Sequence, residues 1–145
     1  MLRQNELAPS GKFAMLASKN DASMRILVVE DEPSIQHVLE VTLKCAGYGV
    51  LGAYDGRNAL EQLQTAVPDV ILLDLMMPGM NGFEFIKELD RQGNRLAIPI
   101  IVLSASMLGQ DLTPMYVSAY LSKPFSMKTL LDKVRQCVRG PLPQA

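Results

Sequence analysis

Apolar residues in this chain keep two rhythms that take turns. Short runs rich in Val, Ile and Leu recur at RILVVE (25–30), YGVLGAY (48–54), DVILLD (69–74), IPIIVLSA (98–105) and AYLS (119–122). Runs of this length, β-branched and bounded by turn formers, predict strands covered on both faces. Between them the spacing changes to three and four, which predicts helices. Ile35, Val38, Leu39, Thr42, Leu43 and Ala46 form one such series, opened by Pro33 and stopped by Gly47. Ala59, Leu60, Leu63 and Val67 mark a second, ended by Pro68. Phe83, Ile86 and Leu89 mark a third, and Met127, Leu130, Leu131, Val134 and Val138 mark the last.

Strands alternating with helices imply an α/β fold whose parallel sheet has helices on both faces. Right-handed crossovers leave few topologies for a chain of this size. The expectation is a single flavodoxin-like domain, a doubly wound five-stranded parallel sheet in the order 2-1-3-4-5. The segment SMLGQDLTPMYVS (106–118) should hold a fourth helix, but Gly109 and Pro114 work against one. That helix is expected to be shortened or irregular.

Residues 24–139 carry the pattern. Residues 1–23 mix Asn, Ser, Lys, Pro and Gly without a period and read as a flexible N-terminal extension or leader. Residues 140–145 read as a flexible tail. The chain has 145 residues, 48% hydrophobic and 20% charged, which suits one soluble globular core. A formal net charge of −1 supplies no global field toward nucleic acid or an acidic membrane, so direct binding to either is not expected. Two cysteines, Cys45 and Cys137, both in helical patterns, fit a reduced cytoplasmic setting better than a disulfide framework. No apolar run approaches the length needed to cross a bilayer.

Ligands of open parallel sheets bind at the carboxyl ends of the strands. Strand one ends in Glu30-Asp31, strand three in Asp74 and strand four in Ser104, and Lys123-Pro124 follows strand five. Three carboxylates crowded on one rim repel each other until a proton or a cation arrives. A hard, oxygen-only set with few protein ligands suits Mg²⁺, which keeps several waters and takes phosphate oxygens. Glu30, Asp31 and Asp74 are therefore candidate ligands, with the backbone carbonyl of Met76 as a further one. A carboxylate in such a site can serve as a nucleophile and form an aspartyl phosphate. The equatorial phosphoryl oxygens then need Mg²⁺, the Lys123 ammonium, and the Ser104 hydroxyl with nearby N–H groups.

With these residues in place, residues 24–139 resemble a response-regulator receiver domain of two-component signalling. The matching pieces are ILVVEDEP (26–33), PDVILLDLMMPGMNGFEF (68–85), IIVLSA (100–105) and AYLSKPF (119–125), in the family's order. The resemblance implies Asp74 as phosphoacceptor and Glu30 with Asp31 as the acidic pair that holds Mg²⁺. It implies Ser104 as the switch hydroxyl, Lys123 as the pocket lysine, Tyr120 as the switch aromatic and a cis Lys123-Pro124 peptide bond. It also implies a signalling phosphoacceptor rather than an enzyme. A histidine kinase or histidine phosphotransfer protein would donate the phosphoryl group, and an unknown protein target would read the changed surface. One departure stands out. Between Ser104 and Tyr120 the chain is a few residues shorter than the family pattern, and Val117-Ser118-Ala119 replaces the usual Gly-Ala-Asp-Asp. This touches the surface that usually carries output and homodimer contacts.

Blander readings stand beside each residue. Asp74 could cap a turn. Glu30 and Asp31 could be a solvated strand end, and Lys123 a solvated charge. Tyr120 could be core packing. Glu32 suits the electrostatics of a helix start. His37, the sole histidine, falls on the polar side of its helix. Met76, Met77 and Met80 read as loop and packing residues. Two alternative functions stay open: a Mg²⁺-dependent phosphohydrolase using an aspartyl phosphate, and a constitutive interaction module with a vestigial pocket. The first usually needs a second acid two residues after the nucleophile, where this chain has Met76.

Overall fold

In the computed structural model the described residues are 24–77, 79–93, 98–105 and 117–138. Five strands, β1 (Arg25–Val29), β2 (Gly49–Ala53), β3 (Val70–Asp74), β4 (Ile100–Ser104) and β5 (Ala119–Ser122), form one sheet. The order is β2-β1-β3-β4-β5 and every pairing is parallel. The helices are α1 (Pro33–Cys45), α2 (Gly56–Leu63), α3 (Gly82–Arg91) and α4 (Met127–Val138). This is the flavodoxin-like arrangement read from the sequence. The expected irregularity at 106–118 falls almost wholly outside the described residues.

The sheet divides its side chains by the two-residue period of a strand. Leu27, Val29, Ile71, Leu73, Ile100 and Val102 face one layer, with Ala59 of α2 and Phe85, Ile86 and Leu89 of α3. Ile26, Val28, Val70, Leu72, Ile101 and Leu103 face the other, with Leu39 and Leu43 of α1 and Leu130 and Val134 of α4. Both layers exclude water, which is why β3 and β4 are buried at every residue. The edge strands are less covered, and in β5 only Leu121 is buried.

Two helices depart from the expected pattern. In α1 the residues that face the sheet are Gln36, Leu39 and Leu43, while Ile35 and Val38 are exposed, and so is Ala46 beyond the helix end. The apolar series of α1 is broad enough to contain two adjacent stripes, and packing chose one. The second helix stops at Leu63, and Val67 is left 65% exposed in the irregular stretch beyond the turn that follows. Gln64 already caps α2, so Pro68 is not what ends it. Gly47 behaves as read: it follows the Ala46 cap with φ +101°, where a side chain would be strained. The start of α3 is built by Asn81, whose side chain accepts from the Glu84 N–H while the Glu84 carboxylate accepts from the Asn81 N–H. Gly82 beside it packs directly on the end of β3. A Cβ there would lie 2.7 Å from Leu75 Cα and 3.0 Å from the Asp74 carbonyl oxygen.

Candidate functional site

The carboxyl ends of β1, β3 and β4 meet on one rim, and buried polar side chains stand there. Glu30 follows β1 directly and is 1% exposed; Asp74 ends β3 at 4% and Ser104 ends β4 at 2%. Glu30 and Asp74 continue the even-numbered side of their strands, the side of α1 and α4. Asp31 is half-buried next to Glu30. One carboxylate oxygen from each of Glu30, Asp31 and Asp74 lies within 4.8 Å of the others. The three acids proposed from the sequence are thus gathered in space.

Lys123 reaches the same point from beyond β5. Its Nζ is 3.5 Å from Glu30 Oε1 and 3.5 Å from Asp74 Oδ2. Its backbone N–H donates to the Ser104 carbonyl at 2.7 Å, which anchors the segment after β5 to the end of β4. The Lys123-Pro124 bond is cis, as the resemblance implied. Two N–H groups serve the acids from within the loops. The Met76 N–H donates to Asp74 Oδ1 at 3.0 Å, and the Glu32 N–H donates to Glu30 Oε2 at 3.2 Å.

Three carboxylates against one ammonium leave an excess of negative charge in a place with little water. Glu30 records the consequence: burial first, and the Asp74 charge second, push its carboxyl up to about 7, with the Glu32 N–H and Lys123 pulling the other way. A divalent cation relieves the same excess without protonation. Oxygen donors only, clustered and partly open to solvent through Asp31, are the donor chemistry Mg²⁺ prefers. The residues present therefore fit the ion.

The remaining predicted residues are placed as follows. Met76 is 67% exposed, so its side chain stays out of the cluster; its N–H is the group seen at Asp74. Met77 is buried and Met80 half-buried, as packing residues would be. Tyr120 lies on β5 opposite Val102 and is 56% exposed, pointing to solvent rather than into the core. His37 is exposed on α1. Glu32 holds the N-cap position of α1 without a capping bond to the helix backbone; its carboxylate accepts from the Ser34 hydroxyl at 3.3 Å. Sequence reasoning missed Gln36, which is 7% exposed and bonds the rim backbone. The available signal was a polar residue three positions before Leu39 and seven before Leu43, on the stripe that turned out to face the sheet.

Comparison with known proteins identifies the family and the fold. Residues 26–135 match the family model described as response regulator receiver domain. The chain is similar to the chemotaxis protein CheY4 of Vibrio cholerae, with 36% identity, TM-score 0.74, and coverage of 79% of this chain and 98% of that one. It is similar to the response regulator protein TrrA of Thermotoga maritima, solved in complex with Mg²⁺-BeF, with 34% identity, TM-score 0.70, and coverage of 79% and 98%. The receiver domain of a sensor histidine kinase from Pseudomonas aeruginosa, with a magnesium ion coordinated in its active site cleft, matches at 30% identity and TM-score 0.75, over 81% and 99%. The chain belongs to the response regulator receiver domain family, a signalling module of two-component systems.

Proposed function

We propose that this domain accepts a phosphoryl group on Asp74 from the phosphohistidine of a histidine kinase or histidine phosphotransfer protein. The observation that carries the reading is the convergence of Asp74, Glu30 and Lys123, with 3.5 Å from Lys123 Nζ to each acid and the three-acid group within 4.8 Å. An Asp74 carboxylate oxygen attacks phosphorus in line as the P–N bond to the donor imidazole breaks. The imidazole leaves with the bond pair and takes up a proton. Lys123 pairs with the oxygens of the transferred group and the Ser104 hydroxyl donates to another. Glu30, Asp31, Asp74 and the Met76 carbonyl would hold Mg²⁺, which supplies charge neutralisation at the acids and at the phosphoryl oxygens. Mg²⁺ in the cleft of the Pseudomonas aeruginosa relative and Mg²⁺-BeF on the Thermotoga maritima relative support this assignment.

The response proposed for the fold is a population shift in which Ser104 moves to the new phosphoryl group and Tyr120 turns inward. Tyr120 stands outward here, 56% exposed, the position from which such a turn would start. Partner docking is proposed on α1 beside the pocket, where Ile35, Val38 and Val41 are exposed on one face of the helix. Free thiols at Cys45 and Cys137 support a reducing, cytoplasmic setting. No helix among the described residues is long and apolar enough to cross a membrane. For the phosphohydrolase alternative, the second acid would stand at Met76, whose thioether can neither donate nor take a proton.

Incubation with acetyl phosphate and Mg²⁺ tests the proposal. Intact mass should show one added phosphoryl group that base removes and acid does not, and Asp74→Asn should show none. Equal labelling of the variant takes Asp74 out of the role.

A further inference from the structure

Four polar or charged residues are buried among those described: Glu30, Gln36, Asp74 and Ser104. Three belong to the pocket. The fourth, Gln36, sits on α1 with its side chain turned to the sheet. Its Nε2 donates to the Ala53 carbonyl at 2.8 Å and to the Glu30 carbonyl at 3.4 Å. The same Ala53 carbonyl accepts the Glu30 N–H at 3.0 Å, and the Gln36 N–H donates to the Glu32 carbonyl at 2.9 Å. One side chain therefore joins the end of β2, the end of β1 and the first turn of α1.

The peptide group is planar, so the Glu30 carbonyl and the Asp31 N–H lie in one plane. Whatever aims that carbonyl sets the course of the chain into Asp31. Asp31 depends on this more than the other acids do. Glu30 and Asp74 have side-chain hydrogen bonds of their own, whereas Asp31 has no hydrogen bond or ion pair among the described residues. Space for the amide is left by Gly52, where a Cβ would stand 3.3 Å from Cδ, Nε2 and Oε1 of Gln36. We propose that Gln36 is the positioning residue of the acidic site, holding the Glu30-Asp31 backbone so that the Asp31 carboxylate stays within the three-acid group. The affinity test below rests on the metal-binding reading given above; the exchange test does not.

The full chain is compared with Gln36→Met, which keeps length and packing but has no side-chain N–H to donate, and with Leu39→Ala, which loosens the same helix face. Mg²⁺ affinity is measured by calorimetry, and amide hydrogen exchange is measured on the metal-free protein. Gln36→Met should weaken Mg²⁺ binding about tenfold, the effect expected of a residue that orients a ligand from behind. It should also speed exchange at the Glu30 N–H more than at Val28. Leu39→Ala should lower the Tm while Mg²⁺ affinity stays within about threefold of the parent. Unchanged affinity in Gln36→Met, or losses in both variants that track their loss of Tm, would overturn the proposal. If the parent chain takes up no Mg²⁺, the metal reading fails, and exchange decides alone: an unchanged Glu30 N–H rate in Gln36→Met overturns the positioning role. Should Gln36→Met not fold, Gly52→Ala, which crowds the same amide, is read by the same two measurements and the same outcomes.

Discussion

The two sides of the pocket are built differently. On one side Glu30 and Asp74 stand at the ends of β1 and β3, central strands with apolar layers on both faces. Their carboxylates take N–H donors from the loops, and Gln36 ties the backbone at Glu30 to the end of β2. On the other side Lys123 hangs from β5, an edge strand of four residues of which one is buried. Tyr120 on that strand is more than half exposed. Low contact density goes with easier local opening. The acids are thus held on the stiff part of the sheet and the ammonium on the part with least to lose by moving. The function proposed above needs a phosphoacceptor site that stays intact while a surface responds, and this division allows both.

The comparison can be broken by truncating one leucine on each side. Leu72→Ala on β3 should cost stability near the top of the roughly 2–5 kcal/mol range for such changes, and Leu121→Ala on β5 near the bottom. Both are read by denaturant unfolding. Equal losses would show the edge to be as firmly held as the centre. A smaller effect is expected where α3 meets β3. Gly82→Ala places a Cβ 2.7 Å from Leu75 Cα, which is backbone and cannot step aside. The expected cost is about 1–3 kcal/mol, with slower labelling of Asp74 by acetyl phosphate. A variant as stable as the parent would mean that this junction gives way easily.

The subtlest test concerns charge. Glu30 is pushed up to about 7 in the folded chain, well above the ordinary carboxyl range of the unfolded one. The folded state therefore binds a proton that the unfolded state has lost. The stability this gives is fully present below the unfolded value and is lost as pH rises through about 7. Metal-free protein should weaken across that window relative to Glu30→Gln, whose neutral amide carries no such proton. Saturating Mg²⁺ should flatten the difference. Parallel pH profiles for the two proteins would mean that the acid cluster is not under strain.

Much of this was legible in the residues. The runs 25–30, 69–74 and 98–105 could be little but buried strands, since β-branched side chains without polar alternation have no other place. Once they lie parallel, the rule that ligands sit at strand ends puts Glu30, Asp31, Asp74, Ser104 and Lys123 on one rim. The orientation of α1 was not legible. Ile35, Val38 and Thr42 form a stripe beside Leu39 and Leu43, and periodicity cannot rank two adjacent stripes. Gln36 was missed for the same reason, because a glutamine looks like a surface residue until the helix is set down. The end of α2 was misread because Val67 keeps the period after Gln64 has already closed the helix.

By itself the sequence determined the elements, their order and the residue types at each strand end, because those follow from local spacing and chain connectivity. Tertiary structure decided which face of α1 meets the sheet, how close Lys123 comes to two acids, and that Glu30 holds its proton to about 7. Those are properties of neighbours brought from distant parts of the chain. Burial and charge act through space, and only the packed sheet sets those distances.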